Sequence, residues 1–481
     1  MTQSSSILWN RGSLQQALAP LGCAMIRPTP INATRVVTDS RMVQAGDLFI
    51  ARRGAQIDGS IFVAEALAKG AAAVISEKSA TDLGLSPAEA ERLLIVSDAD
   101  AALGALASHA RNRSSAKLVA ITGSVGKTST KTMLAEVLGH FGTTHSSQGG
   151  YNNHVGVPLT LANLPIGAAY AVVEIGMNHG GEIAPLSRLA RPHIAMVTTV
   201  EAVHLENFAD IQGIADAKAE IFAGLLAGGT AILNDDNVFY DYLDEQAKLA
   251  GAGNIISFGL RNGTPVLAVD GQDLPDHPEL GLNLDHGIAW QSVQLASLAA
   301  ALALKLPLDQ VLEWIRPMQP LAGRGRLIEL PWPAATAADG DNPTLQLIDD
   351  SYNASPVSVQ AAIQRLGQIP IPPHGRRILV LGDMRELGVQ EEQLHLYLAA
   401  HIEVNHIDLV FTSGKLANHL FEALPAEKRG ASHPDPALLA QILLPILRSG
   451  DAVTVKGSRG SQPTARMAAV VTAIQQWANQ G

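Results

Sequence analysis

The stretch ITGSVGKTSTK, residues 121–131, carries Gly126, Lys127 and Thr128 in the order that phosphate-binding loops use. Glycines at 123 and 126 permit backbone N–H groups to turn inward. Lys127 offers a point charge to the β- and γ-phosphates of a nucleotide, and Thr128 can hold Mg²⁺ at a helix N-terminus. The longer pattern G-x-x-x-x-G-K-[ST] asks for a glycine where Ile121 stands, so the match alone leaves an ordinary strand-to-helix turn open. A magnesium site needs hard oxygen ligands near the threonine, usually few, with water completing the shell. Glu174 closes the run YAVVEIGM, and IAMVTTVEAVHLENF brings Glu201, His204 and Glu206. Singly these are weak signals. A lone histidine is more often hydrogen-bonded structure than a ligand, HGGE at 179–182 reads as a turn, and Lys218 in IADAKAEIF reads as a solvated helix lysine. GAGNII, from Gly251, lacks the third glycine of a dinucleotide fingerprint.

Positioning these residues requires alternating strands and helices. KLVAIT predicts a strand, GSVG a turn, and the following segment a helix with Met133, Leu134, Val137, Leu138 and Phe141 on one face. That strand–loop–helix order is the context a phosphate loop needs. Upstream, DLFIA, AAAVIS and RLLIVS read as strands among Ala-rich helical stretches such as FVAEALAKGA. Downstream of the helix VQLASLAAALAL, the runs RRILVLGDM, DLVFTSGK and DAVTVKGSRG each end in a Gly-containing polar loop. Alternation of this kind predicts an α/β protein with doubly wound parallel sheets and ligands at the carboxyl ends of the strands. PWPAATAADGDNP reads as a surface loop.

At 481 residues the chain exceeds what one core usually serves, so two or three domains are expected. Hydrophobic residues are 47%, charged ones 16% and aromatics 4%, a composition that excludes a disordered chain. The net charge of −11 argues against a nucleic-acid surface but not against a small polyanion in a basic pocket. Cys23 is the only cysteine, so an intramolecular disulfide is impossible. No signal peptide or membrane span is read from the sequence, and a cytoplasmic location is expected.

Together, TGSVGKTS, YNNHVGVPLTL, VVEIGMNHGGEI, AVHLENF, AKAEIF, DDSYNASP, LGDMRELG and VKGSRG resemble, in order and spacing, the Mur ligases, ATP-dependent ligases of peptidoglycan precursor synthesis. The upstream TDSRMVQAGDLFIARRGAQIDG is similar to that family's UDP-binding domain, so the likeness spans nearly the whole chain. Because this family uses the shorter loop, Ile121 is no defect. The resemblance implies three domains: 1–113 binding a UDP-muramoyl substrate, 114–322 a P-loop ATPase-like domain, and 323–481 a Rossmann-like domain binding D-Ala-D-Ala. LGDMRELG and YNNHVGVPLTL point within the family to the addition of D-Ala-D-Ala to UDP-N-acetylmuramoyl-tripeptide through an acyl phosphate. ATP and Mg²⁺ are the implied cofactors, and a monomer is expected.

Residue by residue, the resemblance implies that Gly123, Ser124, Val125, Gly126, Lys127, Thr128 and Ser129 cradle ATP. Arg324 would approach its phosphates and Asp350 its ribose. Thr128, Glu174, His204 and Lys218 would hold metal, Lys218 as a carbamate. Asn153 would lie near the reacting phosphate, and Ser40 and Arg41 would recognise the UDP-muramoyl group. The chain departs from the family where adenine binds: Trp290, Gln291 and Gln294 stand in the place of His-Asn-x-x-Asn. Other readings are addition of a single amino acid, as in the neighbouring ligase, and a nucleotide-controlled binding protein. The missing DNPR signature opposes the first, and the further Glu174, His204 and Lys218 oppose the second.

Overall fold

The computed structural model describes residues 7–25, 30–54, 56–203, 205–261, 264–273, 282, 286–333, 344–458 and 466–479. His204, most of the PWPAATAADGDNP tract (334–343) and the last two residues of VKGSRG lie outside the described residues.

Three principal sheets follow one another along the chain. The first has β1 (Ala24–Met25), β2 (Arg35–Val37), β3 (Asp47–Ile50), β4 (Ala73–Ser76) and β5 (Leu93–Ile95), in the order β1-β5-β4-β3-β2. All neighbours are parallel except β1 with β5. Its closing helix α1 (Ala99–Arg113) begins where the Asp98 carboxylate accepts from the N–H groups of Asp100 and Ala101, satisfying donors that a helix start leaves without partners. This helix belongs to two cores. Leu103, Leu106 and Ala110 pack with Trp9 and Leu48 of the first unit, while Ala107 packs with Leu118 and Val157 of the next.

The central sheet runs β13-β12-β11-β10-β9-β6-β8-β7. Its strands are β6 (Lys117–Thr122), β7 (Thr144–Ser146), β8 (Tyr170–Glu174), β9 (Ile194–Val197), β10 (Thr230–Asn234), β11 (Asn254–Arg261), β12 (Thr264–Val269) and β13 (Gln272–Asp273). From β7 to β11 all pairs are parallel; β12 and β13 add an antiparallel edge that the expected parallel sheet lacked. KLVAIT is apolar on successive residues because both faces of its strand are covered. One face carries α2 (Lys127–Gly139), with Met133, Leu134, Val137 and Leu138 buried beside Leu298. The other carries α3 (Gly156–Ala162), α4 (Ile183–Ala190) and α5 (Ile211–Ala219). α6 (Ile288–Ala303) shares the α2 face and buries Trp290, Gln291 and Gln294. The first strand, β6, lies between β8 and β9, so the connections leave it in opposite directions. That switch point opens a crevice at the carboxyl ends of all three strands.

The third sheet has the order β14-β15-β19-β16-β17-β18. Its members are β14 (Arg326–Pro331), β15 (Thr344–Asp350), β16 (Arg377–Gly382), β17 (Leu409–Ser413), β18 (Arg429–Ser432) and β19 (Ala452–Lys456), with only β14 antiparallel. It turns the ends of β15, β16 and β19 toward the central unit. A Cβ added at Gly388, in LGDMRELG, would lie 3.3 Å from the Cα of Glu206.

The first unit is clipped to the central one by Asn163, just beyond α3. Its side-chain oxygen accepts from Val36 N–H at 2.8 Å and its amide donates to Val36 O at 2.9 Å, completing the outer edge of β2. Trp9 Nε1 donates to Ala162 O at 2.9 Å alongside. Asn163→Ala is expected to leave Val36 without those partners, speeding its amide exchange and lowering stability in denaturant unfolding by about 1–3 kcal/mol. The crevice at the opposite end of the sheet is expected to stay unchanged, as read by amide exchange over residues 123–129.

Candidate active site

β6 delivers the chain into the switch-point crevice, and the glycines there answer specific constraints. Gly123 has φ 142°, and a Cβ on it would sit 1.9 Å from Thr198 Oγ1, inside any permitted contact. Gly126, φ 86°, occupies the left-handed region immediately before α2. The segment after β9 pins the loop from behind. Thr198 Oγ1 lies 2.5 Å from Val125 O, Ser124 N–H donates to Thr199 O at 2.8 Å, and Ser124 Oγ is bonded to both the carbonyl and the N–H of Glu201. Ser129 is buried in the first turn of α2. Lys127 folds back over its own loop, its ammonium donating to the carbonyls of Gly123 and Ser124.

Facing the loop is Glu174, the last residue of β8 and only 2% exposed. One carboxylate oxygen accepts from Thr128 Oγ1 at 2.9 Å, the other from Asn152 Nδ2 at 2.8 Å, and Lys131 Nζ lies 3.7 Å away. Asn153 sits alongside, but its oxygen accepts from Val155 and Gly156 N–H, at 3.2 and 3.0 Å, where α3 starts. The asparagine that touches Glu174 is therefore Asn152. Asn152 and Lys131 lie within the quoted stretches YNNHVGVPLTL and ITGSVGKTSTK but were given no role there; Lys131 follows Thr128 by three positions and Lys127 by four, the spacings that bring helix side chains together.

Lys218, in the last turn of α5, is 1% exposed and not the solvated lysine that its helix suggests. Burial and the nearby charge of Lys127 push its pKa well below the ordinary lysine value, while Glu220 opposes them. Lys127 is also lowered, by burial and then by Arg324 against the pull of Glu174. Glu220 is anchored in turn. Its carboxylate accepts from Gly181 N–H, and from Ile183 and Ala184 N–H at 3.0 and 2.9 Å, so the HGGE turn presents a helix start to this acid.

Arg324 comes from the third unit, its guanidinium 4.3 Å above the ring of Tyr352 and within electrostatic reach of Lys127 and Lys131. The neighbouring Gly323 N–H donates to Asp349 Oδ2 at 2.7 Å, and Tyr352 N–H returns to Gly323 O at 3.0 Å. Asp350 accepts from the buried Lys456 ammonium at 2.6 Å; burial raises its pKa and Lys456 opposes the rise. In LGDMRELG, Asp383 Oδ1 accepts from Leu416 and Ala417 N–H at 3.0 and 2.8 Å, at the start of helix α7 (Lys415–Ala423). Farther off, Ser40 is buried, and exposed Arg41 pairs with Asp39 at 2.6 Å with Tyr151 in electrostatic reach. The crevice thus brings together Lys127, Thr128, Glu174, Lys218 and Arg324, with Asn153 at its side, and leaves Ser40 and Arg41 on the first unit.

Thr128 and Glu174 present adjacent hard oxygens, a donor pair that fits one magnesium with water completing the shell. Among the described residues no group of three or more His, Cys, Asp or Glu could hold a metal. Lys218 as an amine would add no oxygen.

Three family models match the chain consecutively: "Mur ligase family, catalytic domain" over 32–111, "Mur ligase middle domain" over 121–280 and "Mur ligase, glutamate ligase domain" over 338–459. Among curated proteins, the UDP-N-acetylmuramoyl-tripeptide–D-alanyl-D-alanine ligase of Escherichia coli K12 is 35% identical, over 93% of this chain and 94% of its own. The enzyme of the same name from Bacillus subtilis 168 is 33% identical, over 88% and 90%. A crystal structure of MurF from Acinetobacter baumannii superposes with a TM-score of 0.76 at 28% identity, covering 98% of this chain and 99% of that one. With consecutive family models and relatives aligned over nearly their full length, this chain belongs to the Mur ligase family.

Proposed function

We propose that the protein joins D-alanyl-D-alanine to UDP-N-acetylmuramoyl-tripeptide in an ATP-dependent amide ligation. The observation that carries this reading is the convergence of Lys127 and Arg324, from two different units, on the head of α2 opposite Glu174. A carboxylate and a nucleotide polyphosphate repel each other, and fixed cations at their meeting point offset that repulsion. The relatives' names supply the substrates.

In this reading an oxygen of the tripeptide's terminal carboxylate bonds to the γ-phosphorus of ATP as the bond to ADP breaks, giving an acyl phosphate. The D-Ala-D-Ala amine then attacks the acyl carbon, loses a proton, and expels phosphate. Hydroxide or oxide would leave poorly; phosphate leaves readily. Lys127 swings from the carbonyls of Gly123 and Ser124 to the phosphates, and the inward N–H groups of residues 123–129 cradle them. Arg324 closes the other side and helps to exclude water from the reactive intermediate. Mg²⁺, held by Thr128 and Glu174, would neutralise phosphate charge. His204 is proposed to share in metal binding and Asn153 to lie near the transferred phosphate.

Lys218 is proposed to react with CO2. A depressed pKa enlarges the neutral fraction, whose nitrogen can bond to CO2 with loss of a proton, turning a cation into an oxygen ligand. Asp350 is assigned to the ribose, and Ser40 and Arg41 to the UDP-muramoyl group. We assign residues 1–113, 114–322 and 323–481 to binding the UDP-peptide, ATP and D-Ala-D-Ala respectively. A monomer working in the cytoplasm fits these substrates, and among the described residues no helix is long and apolar enough to cross a membrane.

Phosphate release and product mass, with ATP, Mg²⁺ and UDP-muramoyl tripeptide, are expected to favour D-Ala-D-Ala over D-Ala, L-Lys or diaminopimelate by at least roughly a hundredfold. Preference for a single amino acid would move the protein to the neighbouring ligase. Lys127→Ala is expected to lower kcat by about 10²–10³, the loss typical of removing one group that stabilises transition-state charge; activity within a few-fold of the unmodified enzyme would refute its role.

Lys218 yields opposite effects on activity and stability. Its folded-state pKa is depressed by burial, so the charged form is disfavoured in the fold and the buried lysine weakens the fold at pH values below the ordinary lysine pKa. In bicarbonate-free buffer Lys218→Met should therefore raise the melting temperature, with the gain fading as pH approaches the ordinary lysine pKa of about 10.4. Activity should be lost. Lys218→Ala should regain part of it when short carboxylates are added, and an absence of rescue would exclude the carbamate.

A further inference from the structure

One turn beyond Lys127 on α2, Lys131 exposes only 4% of its side chain. An ammonium so enclosed is expensive, and an apolar side chain of similar volume often serves a purely structural position as well or better. Its separation of 3.7 Å from Glu174 makes a long ion pair, whereas its bond to Gly149 O, at 2.9 Å, has ordinary hydrogen-bond length. The directional contact of Lys131 is thus with the loop between β7 and α3. Gly149 is left-handed, with φ 53°, and a Cβ on the adjacent Gly150 would stand 3.8 Å from the Tyr352 hydroxyl. The Tyr352 ring carries the Arg324 guanidinium at 4.3 Å. A line of neighbouring groups therefore runs from Glu174 through Lys131, Gly149 and Gly150 to Tyr352 and Arg324, crossing from the central unit to the third where the Tyr352 hydroxyl stands near the open side of Gly150. Asn152, which bonds Glu174, belongs to the same loop.

We propose that Lys131 is a positioning residue for the ligation: it clamps the 149–153 loop against Glu174 so that Tyr352 docks there with Arg324 over the phosphate site. This rests on the ligase reading above. Lys131 acts through the loop and Tyr352, and it need not touch ATP. Its removal should leave nucleotide binding to the 123–129 loop largely intact while misplacing the cation contributed by the third unit.

Lys131→Met keeps an unbranched stem and removes the charge. Its melting temperature should equal or exceed that of the native enzyme, and ADP affinity by calorimetry should change by less than about threefold. Turnover should fall by about a hundredfold, the effect that roughly 1 Å of misplacement can have. Amide exchange over residues 149–153 should quicken without any substrate present. Lys131→Arg should recover part of the turnover. Tyr352→Ala should also quicken exchange over 149–153, and Lys131→Met/Tyr352→Ala should be scarcely slower than the worse single variant. Turnover within threefold of native in Lys131→Met, or losses that multiply independently in the double variant, would overturn the proposal. If Lys131→Met does not fold, unchanged exchange over 149–153 in Tyr352→Ala would overturn it equally. Because exchange is read without substrates, failure of the ligase reading would show separately, as a native enzyme that releases no phosphate with the tripeptide and amine.

Discussion

Like charges gathered in a weakly hydrated space raise the free energy of the fold unless an opposite charge stands among them. Lys127, Lys131 and Arg324 come together at the head of α2, and the Glu174 carboxylate is the anion whose attraction is felt by both lysines. That carboxylate is well provided for, with Thr128 and Asn152 on its two oxygens and its backbone N–H on Ser147 Oγ at 3.0 Å. The surrounding positive charge is only partly offset, which accords with the proposed polyphosphate guest. Much of the nearby architecture follows. β8 must end at residue 174, the β7–α3 loop must return across the carboxylate, and the third unit must supply Arg324 without burying it in its own core.

The sheet order makes this possible. β6 lies between β8 and β9, so the phosphate loop, Glu174 and Thr198 emerge at neighbouring strand ends even though 46 residues separate Thr128 from Glu174 and 73 separate Thr198 from Val125. The same geometry lets the segment after β9 support the loop from behind while the crevice stays open in front. Glu220 and the start of α4 secure the Lys218 segment from a different direction. A buried lysine is thereby held beside another lysine, an arrangement that local preference would not choose.

Local features were legible in the sequence wherever local physics governs them. The strand–turn–helix at residues 117–139 could be read from Gly123, Gly126 and the run KLVAIT, and the buried face of α2 from Met133, Leu134, Val137 and Leu138. The antiparallel edge of the central sheet was legible although it was not among the expectations: Asn262-Gly263 stands in the sequence between β11 and β12 and Asp270-Gly271 between β12 and β13, dipeptides that favour two-residue hairpins. Lys218 shows the limit of reading one helix at a time: its burial comes from tertiary packing. Asn152 and Asn153 are adjacent and chemically identical, and only the direction of the loop decides which reaches Glu174. The approach of Arg324 to within electrostatic reach of Lys127 and Lys131 depends on two units meeting, for which spacing gives no signal. Family resemblance supplied the expectation that this arginine approaches the ATP phosphates.

The closeness of Gly123 to Thr198 has a consequence for protein engineering. The hydroxyl that braces Val125 occupies the space in which a side chain at residue 123 would begin. The two positions consequently form one unit of variation. A combinatorial library that diversifies residue 123 while retaining Thr198 should recover glycine alone. Shortening residue 198 first would make room at 123, but it would also remove the brace, so the route from one functional pair to another passes through a less ordered loop. Diversity introduced for altered nucleotide use is better placed on the open side of the crevice than on this back wall.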